Sequence, residues 1–301
     1  MFAITFIAHG EQLADQDIQD IETSLLPKLD VGSFEKKALS PRAVDYYVDV
    51  SDPLKVSQQL KQEQGKHAYD IIFQDNDQRK NKKLFIFDMD LTLIYQEVIE
   101  LIAAYADIED KVAEITTRAM NGELDFNELL RERVALLRGI DATNLWEELK
   151  EKIELTRGVK ELTTALNKLG IVTGVLSGGF IPLAQHVKEV LGLKYAYANT
   201  LGVDGENKLD GTTKGMIVNG DKKAELLLQI AEENGIGPKQ AVAVGDGAND
   251  LPMMGKAGFG IAWNAKPKVQ QAAPCCLNTK SLQDVLYILG YDDAEISSLT
   301  A

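Results

Sequence analysis

Two carboxylates, Asp88 and Asp90, stand two residues apart directly after the apolar run Leu84–Phe87. A short, wholly apolar run reads as a buried strand of a parallel sheet. In open α/β sheets ligands bind at such strand ends. Clustered charge there is costly unless it is paired or holds a cation. A second apolar run, residues 241–244, ends in Gly245-Asp246-Gly247-Ala248-Asn249-Asp250. Two acidic strand ends on one sheet edge can jointly hold a hard divalent cation through oxygen ligands, and Mg²⁺ is the expected ion. A third run, residues 172–176, leads into Ser177-Gly178-Gly179-Phe180. A hydroxyl and free backbone N–H groups ahead of a helix suit a phosphate. Lys223, near the start of an apparent helix, offers a point charge for a phosphate oxygen; its neighbour Lys222 is the rival.

These residues need a scaffold that brings distant strand ends together. Strand-like runs at 84–87, 172–176, near Tyr195, at 241–244 and at 260–263 alternate with helical stretches at 181–191, 222–233, 250–256 and 282–289. The alternation predicts an α/β fold built on a doubly wound parallel sheet. Residues 95 to about 150 read as almost wholly helical, so a helical cap inserted after the first strand, at about 95–165, is expected over the strand ends. The polar, basic run 76–83, NDQRKNKK, reads as a linker. Before it come a strand at 2–8, a helix at 15–29 with Ile18, Ile21, Leu25 and Leu29 in helical spacing, strands at 34–39 and 43–50 joined by Ser40-Pro41, a helix at 53–64 and a strand at 69–74. That β-α-β-β-α-β order predicts a small ferredoxin-like α+β domain over residues 1–80. It resembles an ACT-type regulatory domain, and a packing and dimerisation role fits it as well. The catalytic unit is then 81–301.

Composition closes off other classes. The 301 residues carry 32 Lys+Arg against 46 Asp+Glu, a formal charge of −14. That field repels nucleic acid and anionic membranes. Three histidines argue against a multi-histidine zinc site. The only cysteines, Cys275 and Cys276, are adjacent, which implies no disulfide framework and fits a reducing, cytoplasmic location. No apolar run approaches the roughly 18–20 residues of a membrane span, and the opening residues lack the basic and apolar regions of a signal peptide.

The stretch Asp88-Met89-Asp90-Leu91-Thr92, Ser177-Gly178, Lys223 and Gly245–Asp250 together resemble the four signature regions of the haloacid dehalogenase (HAD) superfamily of phosphotransferases, in order, across about residues 84–260. Glu97, the run 120–126 (MNGELDF) and the run 130–134 (LRERV) resemble the cap of the branch that acts on phosphoserine. The resemblance implies Asp88 as a nucleophile that forms an aspartyl-phosphate, and Asp90 as general acid and base. It implies one Mg²⁺ held by Asp88, the Asp90 carbonyl and Asp246. Ser177, the Gly178 N–H and Lys223 would hold the phosphoryl oxygens, with Asp250 behind them orienting Lys223 or a metal-bound water. Gly179 and Asn249 would line the substrate end. Arg133 would take the serine carboxylate and Glu97 the ammonium group. Met120 and Phe126 would form an apolar lid, or plain cap core. The expected activity is hydrolysis of O-phospho-L-serine, the last step of serine synthesis. Leu91, Val98 and Leu129 depart from the usual residues of that branch on the substrate side. They keep open another small phosphate monoester as substrate. A non-catalytic amino-acid-sensing module with a vestigial core is the remaining alternative. A homodimer through the small domain is the default expectation.

Overall fold

The computed structural model describes residues 1–301. The chain begins with β1 (Phe2–Ala8), α1 (Asp15–Asp20), β2 (Val31–Ala38), β3 (Ala43–Val50), α2 (Pro53–Glu63) and β4 (Tyr69–Asp75). Its strands form an antiparallel sheet in the order β2-β3-β1-β4. The regular helix expected over 15–29 stops at Asp20 and continues as a wide turn, Ile21–Leu25, and a tight one, Leu26–Lys28. Pro27 lies in that tight turn and has no N–H to extend a regular helix. Ile21, Leu25, Leu26 and Leu29 are nevertheless buried against the sheet.

The run expected as a linker is not an exposed tether. It forms a short helix, α3 (Asn76–Arg79), started by the Asp75 side chain, which accepts from the N–H groups of Asp77 and Gln78. Arg79 is only 2% exposed. Its Nη2 donates to Asp45 Oδ2 at 2.6 Å and to the Tyr47 hydroxyl at 3.1 Å. A buried carboxylate recruits the basic residue that composition alone assigns to solvent.

The second unit follows as β5 (Leu84–Phe87), α4 (Val98–Tyr105), α5 (Glu109–Met120), α6 (Phe126–Leu136), α7 (Leu145–Lys150), α8 (Val159–Lys168), β6 (Val172–Phe180), α9 (Ile181–Leu191), β7 (Tyr195–Val203), β8 (Leu209–Lys214), α10 (Gly220–Glu233), β9 (Ala241–Gly245), α11 (Leu251–Lys256), β10 (Phe259–Trp263), α12 (Pro267–Ala272), β11 (Cys275–Leu277), α13 (Val285–Ile288) and α14 (Asp293–Thr300). Its sheet runs β11-β10-β9-β5-β6-β7-β8, parallel except for the β7–β8 hairpin. Successive strand residues serve opposite faces. Phe85 and Phe87 join the core under α8 and α9, whereas Leu84 and Ile86 join the core under α10 and α11. Helices α4–α7 form the insertion after β5. The chain returns through an antiparallel bridge between Ile94 and Leu155. The expected boundary at about 165 falls inside α8, which lies against β6 and α14 with Leu162 and Leu166 buried.

The two units are joined by packing. Ile7, Ala43 and Ile72 of the small sheet, with Leu39 just past β2, belong to the same buried cluster as Phe85 and Phe87. Polar contacts frame it. Arg42 Nη2 lies 2.6 Å from Asp284 Oδ2, and Gln74 Nε2 donates to the Ile288 carbonyl at 2.6 Å. Asp70 accepts from the Asn278 N–H at 2.6 Å and from its Nδ2 at 2.8 Å. His9 Nε2 lies 3.2 Å from Asp70 Oδ1. The neighbouring Asp70 carboxylate raises the His9 pKa above its ordinary 6.5, against the opposing cost of burial. The stabilisation is therefore complete below pH 6.5 and fades as pH rises through the raised value of the folded state. Because His9 is partly exposed, it amounts to at most about 1 kcal/mol. An NMR titration should place His9 above 6.5 in the wild-type chain and near it in Asp70→Asn.

Candidate active site

Topology gathers the acidic and phosphate-type residues. Strand β5 lies between β6 and β9, with Phe87 level with Val175 and with Val244. Asp88 and Asp246 therefore follow two adjacent parallel strands, and Ser177 lies beside them near the same end of β6. The Asp88 N–H donates to the Val244 carbonyl at 2.9 Å, which fixes where the turn begins. Asp88 Oδ1 accepts from the Met89 N–H at 2.7 Å. The backbone then reverses at Leu91, which has φ 55° and ψ 9°. A left-handed conformation costs a side-chain-bearing residue roughly 1–2 kcal/mol, so the leucine that departs from the usual small residue sits at a strained point, 38% exposed.

Lys223, in the first turn of α10, is the cation of the site. Its Nζ lies 2.7 Å from Asp88 Oδ1 and 2.8 Å from Asp250 Oδ1, wholly out of solvent. The rival Lys222 pairs with Glu225 near the surface. Asp250 is engaged on both oxygens, because its Oδ2 accepts from the Gly247 N–H at 3.0 Å. Burial works against the Lys223 charge, but the Asp250 and Asp88 carboxylates outweigh it and hold the ammonium protonated.

The Ser177 segment differs from the expected strand end. Strand β6 runs on to Phe180, with its pairing to β7 interrupted between Leu176 and Phe180, and α9 starts only at Ile181. The two glycines lie within the strand, where its pairing is interrupted, and do not open a helix. The Gly179 N–H is occupied by Ser177 Oγ at 2.9 Å. Side chains here would crowd their neighbours without being excluded. A Cβ on Gly179 would stand 3.4 Å from Asp90 Oδ1, and one on Gly178 would stand 3.0 Å from Phe126 Cζ.

Asp90 Oδ2 accepts from the Val98 N–H at 2.8 Å, while Oδ1 is buried without a partner. Val98 thus serves the site through its backbone, and its side chain is core. Burial and then the Glu97 charge raise the Asp90 pKa to about 7. Burial and the nearby Asp250 raise Asp246 to about 7 as well. Burial, reinforced by Asp250, pushes Asp88 upward too, with Lys223 opposing.

The cap supplies the rest. Phe126 opens α6, whose start is fixed by reciprocal bonds between Asp125 and Glu128, and it lies over Gly178. Arg133, further along α6, donates from Nη2 to Thr116 Oγ1 on α5 at 2.6 Å, and its buried Nε has no partner. Glu97 precedes α4 and forms no ion pair with Arg133, yet each feels the other's charge. Burial raises the Glu97 pKa and lowers that of Arg133. Met120, at the end of α5, is 74% exposed and is not buried with the others. Asn249 is half-buried in the turn after β9, its carbonyl against Gly220 at the start of α10.

Two further residues shape the site without any pattern that singles them out. Asn199 is fully buried in β7, donates to the Gly178 carbonyl at 2.8 Å and accepts from the Val218 N–H at 2.8 Å. It ties the Ser177 segment to the loop before α10. Asn219 Nδ2 reaches Asn127 Oδ1 at 3.1 Å, linking that loop to the cap. The one available signal belongs to Asn199, an asparagine inside a strand-like run, a position asparagine usually avoids.

Asp88, Asp246 and Asp250 place carboxylate oxygens within 4.8 Å of one another. With Asp250 committed to Lys223 and Gly247, Asp88 and Asp246 are the side chains left for a cation. Asp88 and Asp246, both pushed upward by burial and by the Asp250 charge, form with the single Lys223 ammonium nearby a donor set that a divalent cation fits, since added positive charge relieves their repulsion.

A family model for haloacid dehalogenase-like hydrolases matches residues 82–258. The phosphoserine phosphatase of Saccharomyces cerevisiae is 52% identical over 98% of this chain and 98% of its own length. That of Archaeoglobus fulgidus is 38% identical over 82% of this chain and 72% of its own. Among solved structures, a substrate-bound phosphoserine phosphatase complex superposes with a TM-score of 0.64 at 40% identity, covering 69% of this chain and 98% of that one. A HAD family hydrolase from Salmonella enterica subsp. enterica serovar Typhi superposes over 96% of this chain and 99% of its own, with a TM-score of 0.82 and 28% identity. Full-length likeness and the acid–lysine cluster agree: the chain belongs to the haloacid dehalogenase-like hydrolases and, within them, to the phosphoserine phosphatases.

Proposed function

We propose that the chain hydrolyses O-phospho-L-serine to L-serine and phosphate through a phosphorylated Asp88. The observation that carries the reading is the buried Asp88–Lys223–Asp250 array beside an Asp90 whose pKa is about 7. Met89 N–H and Lys223 anchor Asp88 Oδ1, which fixes the carboxylate's orientation toward the substrate phosphorus. The Asp88 oxygen forms a bond to phosphorus as the bond from phosphorus to the serine oxygen breaks. Asp90 gives its proton to that leaving oxygen, then takes one from the water that splits the aspartyl-phosphate and restores Asp88. A carboxyl with a pKa near the working pH serves in both directions. Ser177, the Gly178 N–H and Lys223 hold the phosphoryl oxygens, with Asp250 orienting Lys223. A Mg²⁺ ion held by Asp88, Asp246 and the Asp90 carbonyl would, when bound, offset the repulsion between carboxylate and phosphate. A solved phosphoserine phosphatase that holds a phospho-aspartyl intermediate analogue, 41% identical over 69% of this chain, supports this route.

In the substrate end, Arg133 takes the carboxylate, Glu97 the ammonium group, and Phe126 excludes water above Gly178, with Gly179 and Asn249 alongside. Met120 joins the lid only if the cap closes further. Residues 1–80 form the regulatory or dimerisation unit, and the free outer edge of β2 suits a homodimer through it. Buried thiols at Cys275 and Cys276 fit the cytoplasm. The product makes this the final step of serine synthesis.

Phosphate release from L- and D-phosphoserine, phosphothreonine, glycerol phosphate and phenyl phosphate, with Mg²⁺ and with EDTA, tests the reading. Metal-dependent preference for phosphoserine is expected; turnover of the other esters alone would move the assignment to a different monoester. Arg133→Ala should lower kcat/KM for phosphoserine about 100-fold, the worth of a charged hydrogen-bonded pair. Phenyl phosphate, which has no carboxylate, should lose less than about threefold.

A further inference from the structure

We infer that Thr116 sets the carboxylate specificity of the site by holding the Arg133 guanidinium in its reading position. The inference rests on Arg133 being the carboxylate reader proposed above. The Thr116 hydroxyl donates to the Val112 carbonyl one turn back at 2.8 Å. Its only hydrogen is therefore spent, and it can meet Arg133 solely as an acceptor. Arg133 Nη2 supplies that donor at 2.6 Å. One end of the guanidinium is fixed to α5, while Nε, buried and without a partner, is left for a ligand. A buried donor kept unpaired is costly, and an incoming carboxylate removes that cost. Without the acceptor on Thr116, the flexible arginine would fold back or pair with Glu97 or Glu100, whose charges it already feels. Thr116 is thus a positioning residue: it touches Arg133, and Arg133 touches substrate.

A second tie crosses the same two helices. Arg118 of α5 pairs with Glu132 of α6 at 2.6 Å, close to Arg133 in sequence but at a partly exposed position. It separates aiming from stapling. If Thr116 only fastened α5 to α6, loss of Arg118 would have the same effect.

The experiment is a cycle on the full-length chain, assayed with phosphoserine and phenyl phosphate. Thr116→Val keeps the branched shape and removes the acceptor. It should raise KM for phosphoserine about tenfold, lower kcat less than about threefold, and change phenyl phosphate kcat/KM less than about threefold. Thr116→Ser should restore the phosphoserine KM. In an Arg133→Ala background Thr116→Val should have no further effect, and Arg118→Ala alone should leave the phosphoserine KM within about twofold. A silent Thr116→Val, an equal loss in the Arg133→Ala background, or an equal loss from Arg118→Ala would each overturn the inference while leaving Arg133 as reader. Equal losses on both substrates in Arg133→Ala alone would instead remove the carboxylate reading beneath it.

Discussion

Asp88→Asn should reduce phosphoserine turnover by about 10⁴-fold or more, because a carboxamide cannot form the acyl-phosphate and no neighbouring group can replace it. The fold should survive. The carboxamide oxygen can still accept from the Met89 N–H and from Lys223, the two partners of Asp88 Oδ1. The substitution also removes one negative charge from a crowd in which Asp88, Asp90 and Asp246 already resist ionisation. The loss of one pairing with Lys223 is offset by less repulsion, so the thermal midpoint should move by no more than about 2 °C, equivalent to under about 1 kcal/mol for a chain of this size. Phosphate release and a circular-dichroism melt on the same preparation decide it. A loss of only about tenfold would mean that Asp88 holds charge and does not attack phosphorus.

The largest expected effect on stability lies far from the chemistry. Arg79→Met should cost about 3–5 kcal/mol, because it strands a buried carboxylate without its cation. Asp45 is 0% exposed and Arg79 2%. The same guanidinium lies against Gly290, where a Cβ would come within 2.6 Å of Arg79 Cζ, so it also sits at the seam between the two units. Urea unfolding at neutral pH measures the change. The double variant Arg79→Met/Asp45→Leu should recover most of the loss, since both partners of the buried pair then become apolar. A single-variant cost below about 1 kcal/mol would mean that water reaches Asp45 once the arginine is gone.

The site was more legible from sequence than the frame around it. Asp88, Asp90 and Asp246 announce themselves because charge after a buried strand needs a reason, and that reason is local in sequence; Lys223 stands beside its rival Lys222 there, and only the fold buries one of the two between Asp88 and Asp250. Ser177 and its glycines read in sequence as a strand end before a helix, whereas the strand runs on to Phe180, past the Leu176 that the pattern suggests. Asn199, Thr116 and Asn219 carry no such mark, because each acts through one partner brought near only by the finished fold. The small unit's strands follow from alternation, but the break in its first helix comes from Pro27 and the burial of Arg79 from Asp45, a residue 34 positions earlier. The exposed leucine at position 91 was visible as an oddity; its left-handed backbone was not.

The apolar cluster shared by Ile7, Leu39, Ala43, Ile72 and the face of the central sheet has a thermodynamic corollary. Neither unit finishes its own interior. Heating should therefore yield one endotherm for the whole chain, since opening the seam strips both units of burial at once. Cutting this chain near residue 80 would leave Asp284 and Asn278 without Arg42 and Asp70 and an unclothed hydrophobic flank, a surface prone to association until several side chains there were exchanged.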